Sequence, residues 1–311
     1  MKTPTRPRPQ PTPGLPVALA LAPRGVGGAG AGISSQRQAR VRQTSARVAS
    51  YTVAVLALLA YILPLFYVVN SSLKTQPNFL TAANSLTTHP HFYNFVTAWR
   101  EAAFSTLVTN SLLYTLVSAG AGTFLSLFLA FPIARGYVRF QGLWYRLFLV
   151  SLFLPLAITT QFQLLLDINI EGTRLGYILL MTANFGVGPF LMTNYLKSVP
   201  RELDEAAAVD GMGYFRYVLR IVAPIAKPVI ITAFIFQAIG VWNDIINATI
   251  YLNSPTLQPI TRGLLTFSGQ YSSQVPLLSA AILTAALPLL ALYILAQRYF
   301  VPGALSGSFK G

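Results

Sequence analysis

Six apolar stretches, at about residues 50–69, 104–133, 147–166, 175–196, 228–246 and 275–296, occupy most of the chain after residue 48. A stretch of about twenty such residues, wound as a helix, crosses the roughly 30 Å hydrocarbon layer of a bilayer. In hydrocarbon every backbone N–H and C=O must find a partner inside the protein, which makes long apolar segments helical. The composition agrees: 54% of residues are hydrophobic and 10% are charged, against about a quarter charged in soluble chains. The expected fold class is therefore an all-α membrane protein with six transmembrane helices. Pro64, Pro155, Pro189 and Pro288 fall within these stretches. Neighbouring helices and water satisfy the backbone groups that a proline frees in a bundle, so they are read as kinks.

Charge sets the orientation. With the N-terminus inside, eighteen Lys and Arg fall on the cytoplasmic side and four, Lys74, Arg100, Arg174 and Arg262, on the outside. This asymmetry follows the positive-inside rule and places both termini in the cytoplasm. It also accounts for the net charge of +14 without a nucleic acid partner. Residues 1–48 hold seven prolines, the Gly-rich run "GVGGAGAG", eight basic residues and no acid. Such a segment buries too little apolar surface to offset chain entropy, so a disordered tail is expected there, with the membrane domain over 49–311. The run "LPVALALAP" is too short and too proline-bounded for a cleaved signal sequence.

No catalytic set emerges. Without cysteine the chain forms no disulfide, thiolate zinc site or iron–sulfur cluster. No G-x-x-x-x-G-K-[ST] phosphate loop is present, so ATP hydrolysis is not expected of this chain. His89 and His91 lie in one outer segment without a third ligand nearby, and Phe92, Tyr93, Phe95 and Trp99 around them suit an interfacial aromatic belt. Asp167, Glu171 and Arg174 read as a solvated charged loop.

Half of the eight acidic residues, Glu202, Asp204, Glu205 and Asp210, cluster in the fourth connection between apolar stretches, "SVPRELDEAAAVDG". The run predicts a short helix: Pro200 suits the first turn, the acids complement the positive end of the helix dipole, and Gly211 closes it in a left-handed conformation. A second short helix is expected near 214–222, before Pro224 and Pro228. Leu203, Ala206, Ala207 and Asp210 occupy neighbouring positions, which gives a narrow face of small residues that another protein can approach closely. Acids beside an anionic inner leaflet fit a membrane-surface helix poorly. A cytoplasmic protein partner is the better reading.

The residues Glu205, Ala206, Ala207, Asp210, Gly211, Ile221 and Pro224 together resemble the E-A-A loop of permease subunits from bacterial ATP-binding-cassette importers. "NSLLYTLVSA" (110–119), "VWND" (241–244) and "QRYFVPGALSGSFKG" (297–311) are similar to the carbohydrate branch, in particular its maltose-type second permease. Ala223 stands where a leucine is usual, and Met212 where a small residue is usual. The resemblance implies a type I importer permease fold in the bacterial plasma (inner) membrane, with a cytoplasmic coupling helix between helices 4 and 5. It also implies a second, non-identical permease, two copies of an ATPase subunit, an external sugar-binding protein and a di- or oligosaccharide substrate. ATP and Mg2+ would be bound by the ATPase and no cofactor by this chain. Glu202, Leu203, Glu205, Ala206, Ala207, Asp210, Gly211 and Pro224 would form the coupling loop.

Within the membrane, Gln161, Gln163, Asn184, Gln237 and Asn243 either line a substrate pathway, with Trp242 as a stacking surface, or hydrogen-bond between helices. Asp244 either faces a polar interior or lies beyond the end of its span in outer water. An ion-coupled secondary transporter would more often show internal repeats or coupling carboxylates within spans, and a membrane-embedded enzyme would need a catalytic set.

Overall fold

The computed structural model describes residues 29–155 and 157–297. Residues 1–28 of the tail, and all but the first residue of the terminal motif, lie outside them. The chain divides into two compact units, residues 1–62 and 63–311. The first is helical from the start of α1 (Ala29–Ser72), which corrects the expectation of a disordered tail as far as residue 48. All seven tail prolines precede residue 24, and "RQARVRQTSARVA" contains nothing that breaks a helix.

After the end of α1, the second unit is built from α2 (Gln76–Thr81), α3 (Tyr93–Glu101), α4 (Phe104–Arg135), α5 (Gln141–Ser151), α6 (Ile158–Asp167), α7 (Arg174–Ala183) and α8 (Gly188–Lys197). There follow α9 (Glu202–Val209), α10 (Tyr214–Tyr217), a π turn (Val218–Val222), α11 (Ala223–Ile225) and α12 (Lys227–Trp242). The order closes with α13 (Ile246–Tyr251), a 3-10 turn (Pro255–Leu257), α14 (Ile260–Gln270) and α15 (Val275–Ala296).

Among the described residues, three unbroken helices are long and apolar enough to cross a membrane, at 50–72, 104–135 and 275–295. Two more candidates are bent pairs: α7 with α8 across 40°, and residues 214–225 with α12 across 88°. Six continuous spanning helices are thus not seen. The stretch 147–166 is divided, α5 ending at Ser151 and α6 beginning at Ile158 with Pro155 between them. Proline lacks the N–H for the helical hydrogen bond and clashes with the carbonyl one turn back. Pro189 likewise sits in the first turn of α8, just after a break, whereas Pro64 and Pro288 are carried inside continuous helices.

The 32-residue α4 organises the second unit. Leu127, Ala130, Phe131 and Ala134 enter one apolar cluster with α8, α10, α12 and Ala207. Phe104 and Leu107 enter a second with α3, α14 and α15, and Tyr114 a third with α6, α7 and α13. Its buried small residues, including Ser118, Ala119, Gly122 and Ser126, let neighbours approach closely. A Cβ on Gly122 would stand 3.1 Å from the Thr182 carbonyl oxygen, and one on Gly188 2.9 Å from Ser126 Oγ.

One sequence motif and two basic residues acquire a structural meaning here. In "NSLLY", Asn110 Nδ2 donates to the carbonyls of Thr256 (2.9 Å) and Gln258 (3.0 Å). Ser111 Oγ accepts from Ile260 N at 2.7 Å, and Tyr114 donates to the Leu257 carbonyl at 2.7 Å. One end of α4 therefore clamps the 256–260 segment by its backbone. Arg174 bonds Asn110 Oδ1 at 3.1 Å instead of closing a charge pair with Asp167, whose carboxylate accepts from Gln163. Lys74, expected as an outer-loop cation, is buried, with Nζ donating to the carbonyls of Ala82 and Ala83 at 2.7 Å each.

Candidate functional site

The segment between α8 and α12 forms the helix expected from its acids. Helix α9 starts at Glu202 with Arg201 as N-cap, so Pro200 stands just outside its first turn. At the other end Met212 N donates to Ala207 O at 2.9 Å and Gly211 N to Ala208 O at 3.1 Å, with Gly211 at φ +68°. This is the paired-bond closure that needs a left-handed residue, which glycine adopts without a Cβ penalty. Met212 packs against the cluster that holds Ala207, so the larger side chain at this position is an inward-facing plug. After α10 the Ala223 amide reaches back to Val218 O. The π turn places this wider register just before Pro224, which has no N–H to offer.

Burial divides α9 into two faces. Glu202, Leu203, Glu205, Ala206, Val209 and Asp210 are exposed, Val209 to 89%, and Gly211 and Pro224 are exposed beyond them. Ala207 is buried, which corrects its assignment to the outward small-residue face: it lies three residues from Asp204, on the side turned to α4 and α10.

Asp204 is the centre of that inner side. Its Oδ2 lies 2.8 Å from Arg135 Nε and its Oδ1 accepts from Arg135 Nη2 at 3.1 Å, with the two side chains 8% and 2% exposed. Tyr137 donates to Oδ2 at 3.1 Å, and Tyr217 donates to Oδ1. The same guanidinium donates from Nη1 to Val199 O (2.8 Å) and from Nη2 to Pro200 O (3.3 Å). Arg135 thus grips the chain entering α9 as well as α9 itself. Burial of the hydroxyl end of Tyr137 and then its bond to the Asp204 carboxylate raise that tyrosine's pKa above 10.0. In the sequence Asp204 reads only as a complement to the helix dipole; its partners lie 67 to 69 residues away or beyond a turn, where no local pattern points to them.

A second candidate region is a cavity of about 240 Å³ beside the break between α7 and α8, mostly apolar in its lining, with Asn184, Gln237, Asp244 and Asn247 as its polar groups. Gln237 Nε2 donates to Met181 O (3.0 Å) and Asn184 O (2.6 Å), carbonyls left over where α7 stops. Asp244 accepts from Tyr177 Oη (2.8 Å), Ala248 N (2.9 Å), Asn247 Nδ2 (2.9 Å) and Asn247 N (3.3 Å). Its charge faces the start of α13, where free N–H groups and the dipole favour an anion. The expected span to 246 therefore ends at Trp242.

The remaining pathway candidates separate from this cavity. Trp242 is buried in the apolar cluster with Phe104 and Ile260, so its ring offers no stacking surface. Gln161 accepts from Tyr251 Oη, Gln163 binds Asp167, and Asn243 Nδ2 returns to Ile239 O one turn back. Asn247, which stands with Asp244 in "VWNDIINATIY", has a buried Oδ1 without a hydrogen-bond partner beside the cavity.

Residues 122–305 match the family described as "Binding-protein-dependent transport system inner membrane component", a region that contains both candidate sites. The chain belongs to this family. Among its relatives is the melibiose/raffinose/stachyose import permease protein MelC of Bacillus subtilis (strain 168), 27% identical over 87% of this chain and 99% of the relative. The diacetylchitobiose uptake system permease protein NgcG of Streptomyces coelicolor is 27% identical over 84% and 88%. A crystal structure of a bacterial ABC transporter involved in alginate import contains a chain that superposes with a TM-score of 0.72 at 20% identity, covering 84% of this chain and 98% of that one. The all-helical architecture is thus that of an importer permease. As a member of the family the chain is the permease subunit of an ATP-driven importer and not an enzyme; the ATPase is a separate subunit. A partner permease and a binding protein complete such a system.

Proposed function

We propose that this permease carries a sugar, a di- or oligosaccharide, across the bacterial inner membrane, that it pairs with a non-identical permease, and that two ATPase copies, holding ATP and Mg2+, drive the pair. Relatives named for melibiose, raffinose, stachyose, diacetylchitobiose and starch degradation products support the substrate class. The ion-coupled and enzymatic alternatives do not fit the family.

Helix α9 is the coupling helix in this reading. It lies in the cytoplasm, as do both termini, and the third apolar stretch crosses as the two half-helices α5 and α6, which makes the sixth span. The observation that carries the reading is the division of α9: an outer face of Glu202, Leu203, Glu205, Ala206 and Val209 free to meet a groove, and an inner face fixed to the spans. A rigid element held on one side and docked on the other passes a displacement between the two. Sugar passes the cavity at Asn184, Gln237, Asp244 and Asn247, which supply hydroxyl-matching groups beside apolar walls.

Gly211→Val tests the docking role. Its Cβ would meet nothing within 4 Å, so the substitution acts through the positive φ alone. In proteoliposomes holding the whole importer, the variant is expected to lose ATPase co-purification or sugar-stimulated ATP hydrolysis. Normal assembly together with normal stimulation would refute the role given to α9.

A further inference from the structure

We infer that Arg135 and Asp204 are positioning residues of the transport cycle: they latch α9 to α4, so that motion of α9 reaches the second long span directly and not only through its chain neighbours. The inference rests on the reading of α9 as the coupling helix.

Along the chain, α9 connects to α8 through residues 198–201 and to α12 through Gly211, Gly213, α10 and the π turn. The glycines and the π turn make the second route the more compliant one. Arg135, the last residue of α4, bypasses both. Its planar guanidinium hydrogen-bonds Asp204 Oδ1 and both carbonyls that lead into α9, with Nε in charge contact with Oδ2 at 2.8 Å, and these three hydrogen bonds from one rigid plane fix orientation as well as distance. This is the one ion pair found among the described residues. A buried pair is often no more stabilising than apolar side chains of the same volume, so its presence points to the orientation it enforces.

From Arg135 the contact path is continuous. Helix α4 packs along α7, α8 and α12, and Gly122 brings its backbone against Gln237, where an added Cβ would stand 3.0 Å from Nε2. Gln237 in turn holds the carbonyls of the α7 break and lines the cavity beside it. Displacing α9 therefore shifts the helix on which the cavity's glutamine rests.

The test uses the complete importer in proteoliposomes, with sugar transported per ATP hydrolysed as the readout. Misfolded protein lowers both quantities together, whereas a broken latch lowers the ratio. Arg135→Lys keeps the charge but loses the fork, and Asp204→Asn keeps the volume but loses the charge. Each is expected to lower the ratio about fivefold or more, and the double variant no further than either single one, because both remove the same tie. Wild-type ratios in the single variants, or fully additive losses, would overturn the latch. Should these variants fail to assemble, Tyr217→Phe removes only a hydroxyl from Asp204 and is expected to lower the ratio about twofold; an unchanged ratio would overturn the latch equally. If the unaltered importer itself couples no sugar transport to ATP, the proposed function fails; if it couples and Arg135→Lys matches it, the latch alone fails.

Discussion

At its C-terminal end α4 holds α9 by an ion pair between two side chains, whereas near its N-terminal end it holds residues 256–260 through their backbone carbonyls and one amide. The first contact requires a particular residue on both sides. The second requires particular residues only on α4, since any residue at 256–258 brings a carbonyl. One end is thus a charged tie to α9, the helix proposed to meet the ATPase, and the other an anchor for a loop at the far end of the same 32-residue helix.

The contrast predicts an order of effects on stability, readable by thermal unfolding of the purified protein in detergent. Asp204→Ala leaves the buried Arg135 without its counter-charge and is expected to cost about 3–5 kcal/mol, the largest effect. Asn110→Ala strips donors from the Thr256 and Gln258 carbonyls and should cost about 1–3 kcal/mol. Tyr137→Phe removes one hydroxyl from Asp204 at an exposed ring, with a loss of about 0.5–1 kcal/mol. Thr256→Ala should stay within about 0.5 kcal/mol, because Asn110 holds that residue by its carbonyl. A Thr256→Ala loss equal to that of Asn110→Ala would break the distinction between the two ends. The tyrosine also sets a pH limit: its pKa is higher in the folded chain, so its contribution is complete below about pH 10 and is lost as pH rises through the folded value.

Much of this was legible in sequence because it is local. Apolar length marked the membrane segments, the acids and Gly211 marked the two ends of α9, and the E-A-A residues marked the family. The failures share a physical cause, which is that tertiary partners are invisible in a local pattern. Ala207 was assigned outward because small residues suit either face, and only its packing beside Tyr217 and Phe131 decides between them. Trp242 was given to a pathway on its chemistry, but it fills an apolar cluster. Asp244 lies past the end of α12 and lines the cavity, its carboxylate accepting from the start of α13. The divided third stretch followed from Pro155, which was read as a kink but separates two helices.

The central claim, that the outer face of α9 is where the ATPase docks, is tested most directly by cross-linking at Val209. The chain has no cysteine, so Val209→Cys introduces a single thiol at a site 89% exposed. With a short heterobifunctional reagent, thiol-reactive at one end and photoactivatable at the other so that the partner needs no cysteine, in membranes carrying the whole importer, the account predicts an adduct between this chain and the ATPase subunit. It also predicts that the same thiol reacts with a small maleimide when the ATPase is absent. Efficient maleimide labelling in both preparations, without an ATPase adduct, would contradict it.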